Sequence, residues 1–153
     1  MSMIKVENLT FGYPSGYNTV FDNVSFQIDT DWKLGFVGRN GRGKTTFFNL
    51  LLGKYEYGGK IISFVRFDYF PHYISDKSRL TKEILAEIYP MAEEWEFMRE
   101  LSCLKLDSDV LYRTFETLSY GEQTKVLLSA LFLNEGNFPL IDEPTNHLDA
   151  DAR

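Results

Sequence analysis

Cysteine is nearly missing: Cys103 stands alone, so no internal disulfide can form, and no CxxC pair or Cys/His cluster is present to hold zinc. A reducing, cytoplasmic compartment is the expectation, with Cys103 as buried filler. Long apolar runs are missing too. Nowhere do about 18 apolar residues follow one another, which excludes a membrane-spanning helix in these residues while leaving a membrane-bound partner open. The stretch Met1-Ser2-Met3-Ile4-Lys5-Val6-Glu7 places charges inside its first apolar segment and so lacks the core of a secretory signal. Positive charge is in deficit: 16 Lys and Arg against 22 Asp and Glu give −6, which argues against a nucleic-acid grip exerted by the overall field. Internal repeats and low-complexity segments are also absent. What remains is an apolar content of 44% over 153 residues, enough for one compact α/β domain with its own core and too short for two.

Along the chain, apolar residues tend to alternate over Met3–Leu9 and Thr19–Ile28, with a Gly/Pro/Ser/Asn-rich stretch between, as in two strands joined by a loop. Trp32-Lys33-Leu34-Gly35-Phe36-Val37 reads as a short strand that stops at Gly38. Phe47, Phe48, Leu50, Leu51 and Leu52 form an apolar helical run that ends at Gly53. Lys60 to Phe70, rich in Ile, Val, Phe and Tyr, reads as one or two strands before Pro71. Between Leu80 and Leu106, Ile84, Leu85, Ile88, Phe97, Met98, Leu101 and Leu104 recur at helical steps among charges and predict a helical insert. A further helix is expected from about Glu122 to Leu133, ahead of the apolar run Phe138 to Ile141.

Gly38-Arg39-Asn40-Gly41-Arg42-Gly43-Lys44-Thr45 fits G-x-x-x-x-G-K-[ST], between an apolar strand and a helix start. Glycines let successive backbone N–H groups curl around an oxyanion, and a helix N-terminus adds unpaired donors and partial positive charge. Such a loop binds ATP and Mg²⁺: Lys44 bridges the β- and γ-phosphates, the Thr45 hydroxyl ligates the metal, and Thr46 supports the α/β-phosphates. Arg39 and Arg42 either add positive potential or are solvated loop charges. The run Phe138-Pro139-Leu140-Ile141 delivers Asp142 and Glu143 at a strand end. Neighbouring side chains on a strand point opposite ways, so the two acids divide the work: Asp142 toward the Mg²⁺ shell, Glu143 toward orienting and deprotonating a water. Pro139 suggests that this strand begins only at Leu140.

Between these sites stands Leu118-Ser119-Tyr120-Gly121-Glu122-Gln123, and after them Pro144-Thr145-Asn146-His147-Leu148-Asp149. In this order the segments resemble the phosphate loop, L-S-G-G-[EQ] signature, D-E-P-T segment and D-loop of the ABC ATPase family, over essentially the whole chain. The resemblance implies an ABC-type P-loop nucleotide-binding domain spanning 1–153. Its parts would be a RecA-like parallel sheet core, an N-terminal antiparallel β subdomain and a helical subdomain at about 77–118. It implies a second nucleotide-binding domain packed head to tail, whose bound γ-phosphate is capped in trans by Ser119 and Gly121, with Glu122 of the same signature counted among the nucleotide-binding residues. By the residues alone, Ser119 is equally an N-cap for the helix that follows. Tyr13 sits where the family places an aromatic that stacks on adenine; the alternative is a strand-end core tyrosine.

More narrowly, Asn146-His147-Leu148-Asp149 resembles the ABC-F branch, soluble proteins with two such domains that act on the ribosome. The segments around Trp32–Gly35, Gly38–Thr46 and Phe138–Glu143 look most like its antibiotic-resistance members, which displace lincosamides, pleuromutilins and streptogramin A. The chain departs from the family at Tyr120, which replaces a signature glycine, and at His72, which stands where a glutamine joins the metal and water network. Imidazole is a poor ligand for Mg²⁺, and a surface-loop histidine is the plain alternative. The sequence stops at Arg153, just past the D-loop, so a fragment of a longer protein is expected, with the segments that reach the ribosome outside it. Two other functions fit the same residues: the ATPase subunit of a membrane transporter, and a non-catalytic nucleotide-binding fragment.

Overall fold

The computed structural model of the chain describes residues 2–32, 34–35 and 43–142. Two units are distinct, Met1–Phe67 and Asp68–Arg153.

In the first unit a sheet in the order β2-β1-β3 is built from β1 (Met3–Gly12), β2 (Thr19–Asp29) and β3 (Gly58–Ile62), with β1 antiparallel to both neighbours. On β1 the buried residues are Ile4 and Val6, then Leu9 and Phe11, so the inward set changes from even to odd positions. Asn8 makes the change. Its φ of 52° is one that asparagine tolerates better than most residues, and the β1–β2 register shifts between Val6 and Leu9. The bulge is held by Ser25, whose Oγ accepts from the Asn8 N–H at 2.8 Å. A second consequence falls on β3: a Cβ at Gly59, where φ is +91°, would lie 2.2 Å from the Asn8 carbonyl oxygen. Only glycine fits there. We expect Gly59→Ala to cost about 3 kcal/mol through the backbone clash and the positive φ together, measured by urea unfolding; a loss below about 1 kcal/mol would mean that β3 is free to step away.

Helix α1 (Lys44–Leu51) lays Phe47 and Leu50 onto this sheet among Val6, Leu9 and Phe11, with Phe47 edge-on to Phe21 at 6.0 Å. It stops where the sequence predicts, at Leu52 and Gly53, the latter at φ +73°. Of the run read as a strand before the phosphate loop, Trp32, Leu34 and Gly35 are described and belong to no strand. Trp32 and Leu34 are 57% and 54% exposed.

The second unit carries α2 (Thr81–Ile88), α3 (Glu94–Cys103), α4 (Tyr120–Leu133) and a two-stranded ladder of β4 (Phe67–Phe70) with β5 (Phe138–Ile141). Short 3₁₀ turns at Ser108–Tyr112 and Phe115–Thr117 lead into α4. The core gathers Ile84 and Leu85, Phe97 and Leu101, Val110, Leu111 and Phe115 against Val126, Leu127, Ala130 and Leu131, the helical spacing that the sequence shows. Backbone of the signature approach is clamped, since Phe115 N–H donates to the Arg79 carbonyl at 3.0 Å and Thr81 N–H to that of Arg113 at 2.9 Å.

Three expectations are corrected. Cys103 is exposed: six residues beyond Phe97 on α3, it sits well around the helix from the buried stripe of Phe97 and Leu101. The strand β5 begins at Phe138, with the Pro139 side chain exposed and, among the described residues, β4 as the strand it pairs with. Helix α4 begins at Tyr120, two residues before the expected start, because Ser119 caps it. Among the described residues no helix is long and apolar enough to cross a membrane.

Candidate functional site

The phosphate-binding candidates open α1. Gly43 takes φ 98° and ψ 0°, and its carbonyl accepts the Phe47 N–H at 2.8 Å, closing the first helical turn. A side chain there would be strained by the positive φ, and its Cβ, 3.0 Å from Val20 Cγ1 and 3.4 Å from a Phe21 ring carbon, would press those side chains back by a few tenths of an ångström. Because the cap residue is a glycine, no cap side chain takes the first amides, and no acid stands in the first turn to repel an anion. Lys44 is half-buried, Thr45 exposed and Thr46 buried. Gly38, Arg39, Asn40, Gly41 and Arg42 lie outside the described residues, as does Glu143.

Tyr13 lies in the same unit, just past β1, and is tied to the helix: its hydroxyl and Thr46 Oγ1 share a hydrogen bond of 2.6 Å. Its ring stands edge-on to Phe11 at 5.0 Å and to Tyr55 at 5.7 Å, while Phe11 and Tyr55 stack at 5.5 Å. At 37% exposed, Tyr13 is not a core tyrosine. The aromatic expected at the nucleobase and a threonine expected at the phosphates are thereby one bonded pair, a link no local pattern announces.

In the second unit Asp142 follows β5, with its N–H donating to the Phe70 carbonyl at 3.0 Å. The Tyr69 hydroxyl donates to Asp142 Oδ2 at 2.8 Å. Burial, then the Asp142 carboxylate, pushes the Tyr69 hydroxyl up to about 12, so it stays protonated and donating at neutral pH. Tyr69 was hidden in the sequence as one aromatic in a strand-like run. A cavity of about 270 Å³ opens beside Asp142, lined by Phe70, Phe115, Tyr120 and Leu127 and by His72 and Lys77 among its polar groups.

His72 lies in the irregular segment after β4 and is partly buried. Its side chain is 26% exposed, and Nε2 lies 3.1 Å from Asp68 Oδ1, an ion-pair approach without hydrogen-bond geometry. Asp68 is held in turn by Asn134, whose Nδ2 donates to Oδ2 at 3.1 Å.

The signature forms a capping box. Ser119 Oγ accepts the Glu122 N–H at 3.2 Å, and Glu122 Oε1 accepts the Ser119 N–H at 3.4 Å. Arg113 stands 3.6 Å from the other Glu122 oxygen. Gly121 lies in the first turn of α4, and Tyr120 is 70% exposed beside it. Of the two roles open to Ser119 on sequence, the helix cap is the one formed here.

These residues suit ATP and Mg²⁺. In the first unit the start of α1 and the Thr45 hydroxyl are of the kind that takes a phosphate and its cation, and in the second unit, taken by itself, the Asp142 carboxylate is a hard oxygen of the kind Mg²⁺ takes. Among the described residues no group of three or more His, Cys, Asp or Glu is placed to hold a metal, and Mg²⁺ carried by nucleotide phosphates needs none.

Comparison with known proteins agrees with this geometry. The family model described as ABC transporter matches residues 21–146. ABC transporter F family member 3 of Arabidopsis thaliana is 30% identical over 156 residues, which cover 98% of this chain and 22% of that protein. ATP-binding cassette sub-family F member 2 of Bos taurus is 30% identical over 157 residues, 98% of this chain and 25% of that one. The chain thus spans about a fifth to a quarter of the length of these curated relatives. Among solved structures, an ABC transporter ATP-binding protein from Pyrococcus furiosus shares the fold with a TM-score of 0.83 at 22% identity, over 99% of this chain and 80% of that one. A metal-chelate-type ABC transporter in an inward-facing conformation gives 0.78 at 27% identity, over 99% and 63%. With a mixed α/β fold, an antiparallel β subdomain and a family match across most of its length, the chain belongs to the ABC transporter family of ATP-binding-cassette ATPases.

Proposed function

We propose that this chain forms half of an ATP·Mg²⁺ site and, facing a second nucleotide-binding domain head to tail, takes part in ATP hydrolysis within a cytoplasmic protein of the F branch that acts on the ribosome. The observation that carries the nucleotide reading is the start of α1: Gly43 at φ 98°, no cap side chain, and Lys44, Thr45 and Thr46 in sequence behind it. Lys44 supplies a charge to the β- and γ-phosphates, Thr45 and Asp142 supply oxygens to the metal, and Tyr13 offers its ring to the adenine. Mg²⁺, when bound, neutralises charge across the phosphate oxygens. Ser119 and Gly121 face the partner's nucleotide. The likeness to F-branch members of plant and animal at 30% identity supports the ribosomal branch, with its antibiotic-resistance members as the finer assignment.

A second reading, the ATPase subunit of a membrane transporter, is favoured by the 27% identity to a metal-chelate-type transporter. The two differ in partner and share the nucleotide chemistry.

The test is calorimetric titration of the chain with ATP and Mg²⁺ beside Lys44→Ala. Binding by the unmodified chain, weakened on the order of 100-fold in Lys44→Ala, is the expected result, since a charge-assisted contact to two phosphates is lost. Equal affinity in both would remove Lys44 from the site, and no binding in either would overturn the nucleotide reading for this chain.

A further inference from the structure

The hydrogen bond between Tyr69 and Asp142 has no assigned task in nucleotide chemistry. We propose that Tyr69 is a positioning residue for Asp142: through its hydroxyl on Oδ2 it fixes the carboxylate orientation that the metal–nucleotide complex uses. The proposal rests on the reading of Asp142 as a Mg²⁺ ligand.

Asp142 follows the end of β5, where its backbone is fixed by the 3.0 Å bond to the Phe70 carbonyl. Backbone anchorage does not by itself set the orientation of the carboxylate, because the terminal torsion of aspartate is broad and roughly two-fold. A ligand to a cation with strict octahedral demands cannot be left to turn. The phenol of Tyr69 selects one orientation by donating to Oδ2 at 2.8 Å. Tyr69 itself is held because its neighbour Phe70, pointing to the other side of β4, is locked in the core at 2% exposed. The donor is also electrically suitable. A lysine or arginine in its place would put a positive charge against a cation site, whereas a neutral phenol orients the oxygen and leaves the carboxylate charge for the metal. Groups that hold a ligating side chain from outside in this way are worth substantial metal affinity in other proteins.

The experiment compares the chain with Tyr69→Phe, Asp142→Asn and the double variant. For each, ATP affinity is measured with saturating Mn²⁺ and again in EDTA, and the ratio of the two reports the metal's share of binding. Tyr69→Phe keeps the ring and removes one oxygen. The expected result is a ratio lowered on the order of 10-fold in Tyr69→Phe, with the affinity in EDTA unchanged. The double variant is expected to match Asp142→Asn, because the phenol acts only through that carboxylate. A normal ratio in Tyr69→Phe beside a collapsed ratio in Asp142→Asn would overturn the positioning role and leave the metal site intact. Equal loss with and without metal in Tyr69→Phe would make the tyrosine merely structural. A normal ratio in Asp142→Asn would sink the metal-ligand reading itself.

Discussion

Truncating Phe115 to alanine is expected to cost the second unit about 3–5 kcal/mol, a large share of the stability of a domain this size. Phe115 is among the largest fully buried side chains, 1% exposed, and packs within the cluster that includes Phe97, Leu101, Val126 and Leu131. Its backbone bonds survive the change: the N–H still reaches the Arg79 carbonyl, and the carbonyl still accepts from Gln123 Nε2 at 3.1 Å. The loss is therefore one of packing. The lost ring would also merge its space with the cavity of about 270 Å³ that it lines, so the neighbours cannot close over the gap. The two tryptophans allow the measurement to be local, because Trp32 belongs to the first unit and Trp95 to the second. In a Trp32→Phe background, urea unfolding followed by Trp95 fluorescence reads the unit of interest. A change below about 1 kcal/mol would mean that Phe115 is not the keystone of this core.

Glu143→Gln, in the protein joined to its second nucleotide-binding domain, is expected to slow phosphate release on the order of 10²- to 10⁴-fold while ATP still binds. The side chain keeps its size and loses its basicity, so a water would be placed but not deprotonated. Glu143 lies outside the described residues, and the expectation comes from its place directly after Asp142, where alternation along an extended chain separates the tasks of adjacent acids. Asp142, engaged by Tyr69, is the acid suited to a fixed ligand role. Phosphate release and ATP affinity measured on the same samples decide it: unchanged turnover would remove Glu143 from the base role, and lost ATP binding would place it in the binding site instead.

The parts of this molecule legible in sequence are those whose signal is short in range. Gly43 before Lys44 and Gly53 after Leu52 bracket α1, because glycine alone serves such backbone angles cheaply. Phe97 and Leu101 mark the inner stripe of α3, because four residues return the helix to the same face. Three features escaped because their cause is remote. The Tyr69–Asp142 bond joins positions 73 apart, and the Tyr13–Thr46 bond positions 33 apart. The bulge at Asn8 reverses which residues of β1 face inward, and alternation is the very pattern by which a strand is recognised. Cys103 differs for a simpler reason: residue type points to burial, whereas its place on α3, two residues past Leu101, turns it to nearly the opposite side of the helix.

The capping box at α4 changes what recognition by the signature means. Ser119 and Glu122 already satisfy each other, so in the proposed head-to-tail arrangement a phosphate arriving from a facing domain would meet a resident anion, the Glu122 carboxylate on the Ser119 amide. Engagement is then an exchange of one oxyanion for another. At 3.4 Å that carboxylate contact is a long one, worth about 1 kcal/mol or less, so it holds the helix start in order yet yields to a better-charged rival. The signature thus keeps its own placeholder, and in that proposed arrangement the grip between two domains would be set by the difference between guest and placeholder.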